Sequence, residues 1–396
     1  MQKNLPWSVG LRKEVVSRWD ELISLRREFH KRPELSWKEK ATSQRIQEWL
    51  KGQGIKDVKP VAGTGVVANI PGGKPGRTIM YRADIDALPV TEDSGVTFPS
   101  ENPGVMHACG HDGHIAVGLM LASMVNQRRN ELKGNVRVIF QPAEELGAGA
   151  VVMLKDGVMD NPKVDAVLGL HVAAEIPMGM LGIATGPTCA AVDDFKIAVL
   201  GKGGHAASPH KTVDPIVVGA QVVNALQTVV SRSVDPMKPA VVTVGTFHAG
   251  TKENIIADRA ELAGTIRGFD MELMKQMPQR IEAIVKGVTE SMGAGYEFHH
   301  QHQCPPVVND AAFAERVKAQ AAKLVGDKAI IPIAIAGADD MAYYLQKAPG
   351  CFFFLGGADA GKGPQVHHQP RFYYDDRSLA LGLELSLRVI EEYLRE

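Results

Sequence analysis

Nine residues from Met106 to His114 read Met-His-Ala-Cys-Gly-His-Asp-Gly-His, which brings three imidazoles, a thiol and a carboxylate into one short stretch. Cys109 and His111 are two positions apart, so on a helix they would point about 200° from each other, whereas a glycine-flanked turn lets both face one point. The stretch therefore reads as a loop. The apolar run from Ile115 to Val125 follows it, which predicts that the loop feeds the start of a helix, where free N–H groups and the helix dipole favour a thiolate. That is metal-site chemistry. A paired metal site needs several anionic or imidazole ligands, a bridging group and an open position for water. The rest of the chain offers Glu144, Glu145, His171 and His367 or His368. Adjacent glutamates in a loop can divide the work, one carboxylate turned to the metals as a ligand and the other left over the bound water as a general base.

Three apolar strands are expected to deliver these groups. TIMYRADID ends in Asp84 and Asp86, VRVIFQP (136–142) leads to Glu144 and Glu145, and DAVLGLH (165–171) leads to His171. Open α/β sheets place their ligand sites at the carboxyl ends of strands in this way. Helical spacing of apolar residues covers 11–31, with Pro33 as the stop, and again about 40–52. Gly63 to Ala68 loosely matches a dinucleotide fingerprint, but it runs into a strand instead of opening a helix, so no nucleotide site is read there. From about 193 to 303 the pattern changes to strand, helix (214–233), two strands, helix (272–292) and strand, a self-contained βαββαβ unit. After Pro305-Pro306 the first pattern resumes with a helix over 310–325, the Gly-rich GADDMAYY, the buried strand CFFFLGG, His367-His368 and a closing helix. The expected fold is α/β in two domains. A discontinuous sheet domain over 1–190 and 304–396 carries the metal chemistry, and a smaller α/β domain over 191–303 is inserted into it.

Composition agrees with an ordinary globular protein: 396 residues, 45% hydrophobic, 22% charged and a formal net charge of -1. That length favours two domains. With no dense cluster of Lys and Arg, neither nucleic acid nor an anionic membrane is expected as a partner, and a small neutral or acidic ligand fits better. The cysteines at 109, 189, 304 and 351 show no CxxC spacing, which suits free thiols in a reducing, cytoplasmic setting. No apolar run reaches the roughly 18 residues a membrane span needs. His299, His300 and His302 alternate at a strand end and are expected to face solvent.

The motifs RADIDALP, MHACGHDGH, QPAEE, GLHV and a late His-x-Pro, together with LRREFHKRPELSWKE, resemble the metal-dependent amidohydrolases that include hippurate hydrolases, bacterial aminoacylases, N-acetyldiaminopimelate deacetylases and plant auxin-conjugate hydrolases. The resemblance spans nearly the whole chain. It implies two divalent ions held by Cys109, His111, Glu145, His171 and a C-terminal histidine, with Glu144 as the base. The family shows one His before x-Pro where this chain has His367-His368-Gln369-Pro370, and the spacing to Pro370 selects His368. Asp84 matches an acidic position that the family places behind a metal ligand, part of the catalytic apparatus through the orientation it imposes. The inserted domain resembles the family's lid, which can also serve as a surface for a homodimer or higher homo-oligomer. Within it, His205 of Gly201-Lys202-Gly203-Gly204-His205 is implied to polarise the scissile carbonyl, in cis or on a neighbouring subunit. Asn254 and Arg267 match positions that contact substrate, the Arg suited to a bidentate grip on a carboxylate.

The expected reaction is hydrolysis of the amide bond of an N-acyl amino acid to a carboxylic acid and a free amino acid: two ions acidify a bridging water whose proton Glu144 takes. Zinc suits the thiolate, and mixed oxygen and imidazole ligation also admits manganese, cobalt or nickel. Three rivals remain: an exopeptidase or dipeptidase on the same scaffold, a metal-free Cys109/His111 thiol hydrolase, and a metal-stabilised binding protein without catalysis.

Overall fold

The computed structural model describes residues 5–359, 361, 363 and 365–396. The chain folds into two compact units: one runs to Thr188 and resumes over Val307–Ala334 and Asp339–Glu396, the other comprises Cys189–Pro306 with Ile335–Ala338.

The elements used below are helices α1 (Trp19–His30) and α2 (Lys40–Gly52), strands β1 (Asp57–Val61), β2 (Gly65–Pro71) and β3 (Lys74–Asp84), helix α3 (His111–Arg128), and strands β4 (Lys133–Gln141) and β5 (Ala166–Pro177). The second unit contributes β6 (Ala191–Leu200), α4 (Pro215–Ser233), β7 (Ala240–Ala249), β8 (Arg259–Gly268), α5 (Met271–Ser291) and β9 (Gly295–Cys304). The first unit closes with α6 (Ala311–Val325), β10 (Gly350–Ala358) and α7 (Leu379–Arg395).

An eight-stranded mixed sheet forms the first unit, in the order β1-β2-β4-β3-β5-β10 followed by the two-residue strands Leu181–Gly182 and Ile330–Ile331. Its centre is parallel: β3 pairs with β4 and β5, and β5 with β10. The inner ends of these strands are buried throughout, which is why their sequences read as continuous apolar runs. Helix α3 is buried over nearly its whole length and packs against α1, α7 and the sheet. It starts at His111, four residues before the apolar run, so His111 belongs to its first turn. Gly110 precedes it with φ 91°, a left-handed backbone that suits glycine.

Two other differences from the sequence reading matter. The helix expected over 11–31 is broken at Arg18 into Lys13–Ser17 and α1, and the Arg18 side chain reaches Glu21 and Ser123. Strand β5 does not stop at His171. It leaves β3 after Gly169, the partner of Arg82, and continues along β10 to Pro177. His171 therefore lies inside a strand, at a point where one neighbour has fallen away.

In the second unit four antiparallel strands run β7-β8-β6-β9, packed against α4 and α5 around their own apolar cluster. Each helix is capped by an aspartate, Asp214 accepting from the Ile216 N–H and Asp270 from those of Glu272 and Leu273. On β9, His300 and His302 do not simply face water. Each contacts one oxygen of the buried Asp193 carboxylate at 2.6 Å.

Arg82 on β3 is a fully buried charge of the first unit. Its guanidinium meets Asp84 at 2.5 Å, Gln141 at 2.9 Å, Asp340 at 2.8 Å and Asp339 at 3.1 Å, with no exposure of the side chain. Removing one partner of a buried ion cluster leaves the other charges uncompensated. Arg82→Met is expected to destabilise the protein by roughly 3–5 kcal/mol, seen as unfolding at lower urea concentration. An unfolding curve superimposable on wild type would contradict this account of the network.

Candidate metal centre

The carboxyl ends of β3, β4 and β5 and the start of α3 bring Cys109, His111, Glu144, Glu145 and His171 together, and the loop after β10 adds His368. Three overlapping triads of ligand atoms result: Cys109, His111 and His171; Cys109, Glu145 and His368; and His111, Glu144 and Glu145, each with its atoms within 4.8 Å of one another. Cys109 is common to the first two. Its Sγ lies 3.4 Å from His171 Nε2, and Glu145 Oε1 lies 3.9 Å from His111 Nε2.

Each imidazole is aimed by a partner behind it. His111 Nδ1 contacts the Asp86 carbonyl at 2.9 Å, and His171 Nδ1 contacts the Val172 carbonyl at 2.7 Å. A carbonyl only accepts, so both Nδ1 atoms carry their hydrogens, and both Nε2 atoms face the cluster. His368 has φ 62°, donates its backbone N–H to the Ala108 carbonyl and holds Nε2 3.5 Å from Glu145. His367 instead directs Nε2 to the Val172 carbonyl and Nδ1 towards Glu175, so both of its nitrogens are engaged away from the cluster.

Asp84 lies on the Nε2 side of His111, with one oxygen 3.7 Å from that nitrogen. One of its oxygens meets His114 Nδ1 at 2.5 Å and the other meets Arg82. The contact to the outward nitrogen of His111 comes from Asp86, which sequence reasoning left without a role. His114 was also missed. Its Nε2 accepts the Val172 N–H at 2.9 Å, which makes it a neutral link between Asp84 and the residue that aims His171. The loop bearing His111 is locked from α1: Asp112 is held by His30 at 2.7 Å, by Arg26 at 2.8 Å and by the Gly113 N–H. Asp339 and Asp340 complete the list of unforeseen acids, with carboxylate oxygens within 4.8 Å of Glu144.

Charge at the site is lopsided. Burial pushes the Glu144 carboxyl well above its ordinary range, and Asp339 and Glu145 add to the effect. Burial likewise carries Glu145 up to about 7, against the pull of His111. For His111 burial opposes the charged form, yet Asp84, Asp86 and Glu145 raise it to about 10. Acids that repel one another in this way mark a place where added positive charge is stabilising. Among the described residues, the buried atoms His111 Nε2 and Glu145 Oε1 have no hydrogen-bond partner. Unpaired buried polar atoms are costly, and these two face each other inside the ligand set, so the residues present fit a bound cation.

His205, Asn254 and Arg267 belong to the second unit. A two-stranded ribbon pairs His205 with Ile255, and Ala206 donates to the Asn254 carbonyl, so His205 and Asn254 share a corner. Arg267 is elsewhere. It lies eight residues beyond Arg259 on β8, about 26 Å at the usual rise per residue, and its Nη1 donates to the Ala336 carbonyl at 2.8 Å.

An N-acetylcysteine deacetylase of Bacillus subtilis (strain 168) is 40% identical over 376 residues, 93% of this chain and 97% of that protein. Thermostable carboxypeptidase 2 of Saccharolobus solfataricus is 40% identical over 377 residues, 94% and 95% of the two chains. The crystal structure of the Bacillus subtilis YXEP protein, described as a dinuclear metal binding peptidase from the M20 family, superposes with a TM-score of 0.83 at 36% identity, covering 96% of this chain and 99% of that one. Residues 80–392 match the profile of Peptidase family M20/M25/M40, and the chain belongs to that family.

Proposed function

We propose that the protein hydrolyses the amide bond of N-acyl amino acids, with two divalent ions held by Cys109, His111, Glu145, His171 and His368. The observation that carries this reading is the pair of ligand triads sharing the Cys109 thiol, with His111 Nε2 and Glu145 Oε1 left unpaired between them. The name of the Bacillus subtilis relative, a deacetylase of N-acetylcysteine, points to the same substrate class. When bound, the ions supply Lewis acidity, polarising the acyl carbonyl and making a water acidic enough to give up a proton near neutral pH. Zinc suits the thiolate, and the imidazole and carboxylate donors also admit manganese, cobalt or nickel.

The remaining steps belong to the protein. Glu144 accepts the proton of the attacking water and returns it to the amine nitrogen as the C–N bond breaks, which frees a carboxylic acid and an amino acid. Burial among acids suits it to this work, because a carboxylate held above its ordinary range takes a proton more readily. Asp86 and Val172 hold the imidazoles, and Asp84 acts through His114. An exopeptidase is the second reading, kept because the Saccharolobus solfataricus relative is named a carboxypeptidase. A panel of acetyl, benzoyl and indole-acetyl amino acids, with free dipeptides as controls, separates the two. Hydrolysis of the dipeptides alone would favour the exopeptidase.

The second unit is assigned as a lid and a dimerisation surface. Strand β7 is an outer strand with β8 as its neighbour in the sheet, and it exposes Val241 and Phe247, while α4 exposes Ile216 and Val217. Such an edge invites pairing with another chain. An N-acetyl amino acid is far shorter than the distance along β8 between the His205 corner and Arg267, so a substrate whose carboxylate is gripped by Arg267 receives His205 and Asn254 from a second copy. Mixing inactive His205→Ala with inactive Glu144→Ala chains should then restore part of the activity. No recovery, with subunit exchange demonstrated, would place all three residues in cis or outside the reaction.

The two adjacent glutamates give a further test. Glu145→Gln, which weakens a ligand, should lower metal content and let excess metal rescue part of the rate. Glu144→Gln should keep both ions while kcat falls by about 10²- to 10⁴-fold, the usual contribution of a positioned general base. Loss of metal from Glu144→Gln with retention in Glu145→Gln would exchange the two roles.

A further inference from the structure

The segment 34–39, between α1 and α2, holds the turn that carries the two glutamates at two points. Ser36 donates its hydroxyl to Asp86 Oδ2 at 2.7 Å, and the same oxygen accepts the Glu145 N–H at 3.0 Å. Glu39 Oε1 accepts the Ala143 N–H at 3.0 Å, while its Oε2 accepts the Thr64 hydroxyl at 2.7 Å. The segment is itself anchored. The Glu34 carboxylate accepts from the Ala41 and Thr42 N–H groups in the first turn of α2, and the Glu34 carbonyl accepts from the Ala87 N–H.

Glu39 has no solvent exposure, and its carboxylate is met by a hydroxyl and N–H groups, with no cation in an ion pair among the described residues. Burial raises this carboxyl above its ordinary range, against the hydrogen bonds it accepts. A buried acid without a cation is costly, so the groups it accepts from carry its role. One of them belongs to a strained residue. Ala143, equally buried, has φ 51° and ψ 42°, a left-handed conformation that is unfavourable for any residue with a Cβ. Its carbonyl accepts from the Ala148 and Gly149 N–H groups at 3.3 and 3.2 Å, so both polar groups of its backbone are tied. Such strain persists only where the surroundings over-determine it, and here the N–H is fixed by a side chain 104 positions away. The next residue in the chain is Glu144.

We propose that Glu39 is a positioning residue: by accepting the Ala143 N–H it holds the left-handed backbone from which Glu144 projects, and so sets where the general base stands beside His111 and Glu145. This rests on the amidohydrolase reading and adds a residue to its machinery. Glu145 has its own tether through Asp86, so the loss of Glu39 acts on the base and spares the ligand.

Three variants at one position test this. Glu39→Gln keeps an oxygen for the Ala143 N–H, and its amide N–H can donate to Thr64 Oγ1, so kcat should stay within about threefold of wild type, the geometry of the base being unchanged. Glu39→Ala leaves the Ala143 N–H without an acceptor, and kcat should fall about 10- to 100-fold, the effect of a small misplacement of a reacting group. KM and metal content should stay at wild-type values. Glu39→Asp keeps the charge but withdraws the oxygens by one methylene, and its kcat should fall with that of Glu39→Ala; it carries the comparison if the alanine variant does not fold. A residue that only stabilises the fold would lower the urea midpoint and leave the kcat of the folded variant intact. That result, or a loss in Glu39→Gln as large as in Glu39→Asp, would overturn the proposal.

A second measurement needs no turnover. Amide hydrogen exchange over 142–149, read by mass spectrometry without substrate, should lose protection in Glu39→Ala and Glu39→Asp and keep it in Glu39→Gln, because an N–H whose acceptor is gone opens locally. Unchanged protection in all three overturns the positioning role even if N-acyl amino acids are hydrolysed. Lost protection in the first two, with no N-acyl amino acid hydrolysed by the wild type, refutes the amidohydrolase reading instead.

Discussion

The guanidinium of Arg82 sits without solvent exposure in the centre of the sheet, and the ligand set is built outward from it. Asp84, Asp339, Asp340 and Gln141 all turn to this one cation. From Asp84 a chain of contacts runs through His114 to the Val172 N–H, and the Val172 carbonyl aims His171. From Asp340 another runs to the Ala150 N–H just after the Glu144–Leu146 turn. A buried charge of this kind is weak evidence for stability. Its role here is geometric: it fixes where the carboxyl ends of β3 and β4 lie relative to the loop carrying Asp340.

That arrangement leaves more acid than base in the site. Burial raises Glu144, Glu145 and Asp340 above their ordinary carboxylate ranges, and one arginine does not balance them. The deficit sits beside the sulfur and the imidazoles of His111, His171 and His368, where soft and borderline donors accompany the Glu145 carboxylate, a set suited to zinc and its neighbours. Fold and chemistry are thus linked through charge: the sheet gathers acids at the ends of its strands, and the aimed imidazoles and thiol complete the place where cations would offset them.

The candidate donors that the structure brings together could be picked from sequence because they are dense or follow apolar strands. Nine residues held Cys109 and His111, and the Glu pair stood directly after a strand. The supporting contacts were not legible, since they join positions far apart in the chain: Arg82 and Asp340 are separated by 258 residues, and Tyr374 and Asp112 by 262. A signal was present in Arg82 itself, a full charge amid the apolar run TIMYRADID, which calls for a buried acid somewhere. GADDMAYY, read only as Gly-rich, supplies it. The helix limits at 40–52 and 310–325 were close because the apolar period holds across both, and at the second Asp310 caps the Phe313 N–H. The break at Arg18 was invisible, because the residues on either side keep a helical apolar spacing while Arg18 turns to bond Glu21 and Ser123.

The central claim is that one thiol serves two ions. Elemental analysis of the purified protein beside Cys109→Ala tests it most directly. The account predicts two divalent ions per chain in the wild type and the loss of at least one in the variant, since alanine offers no donor to either triad. Two ions per chain retained in Cys109→Ala would contradict it.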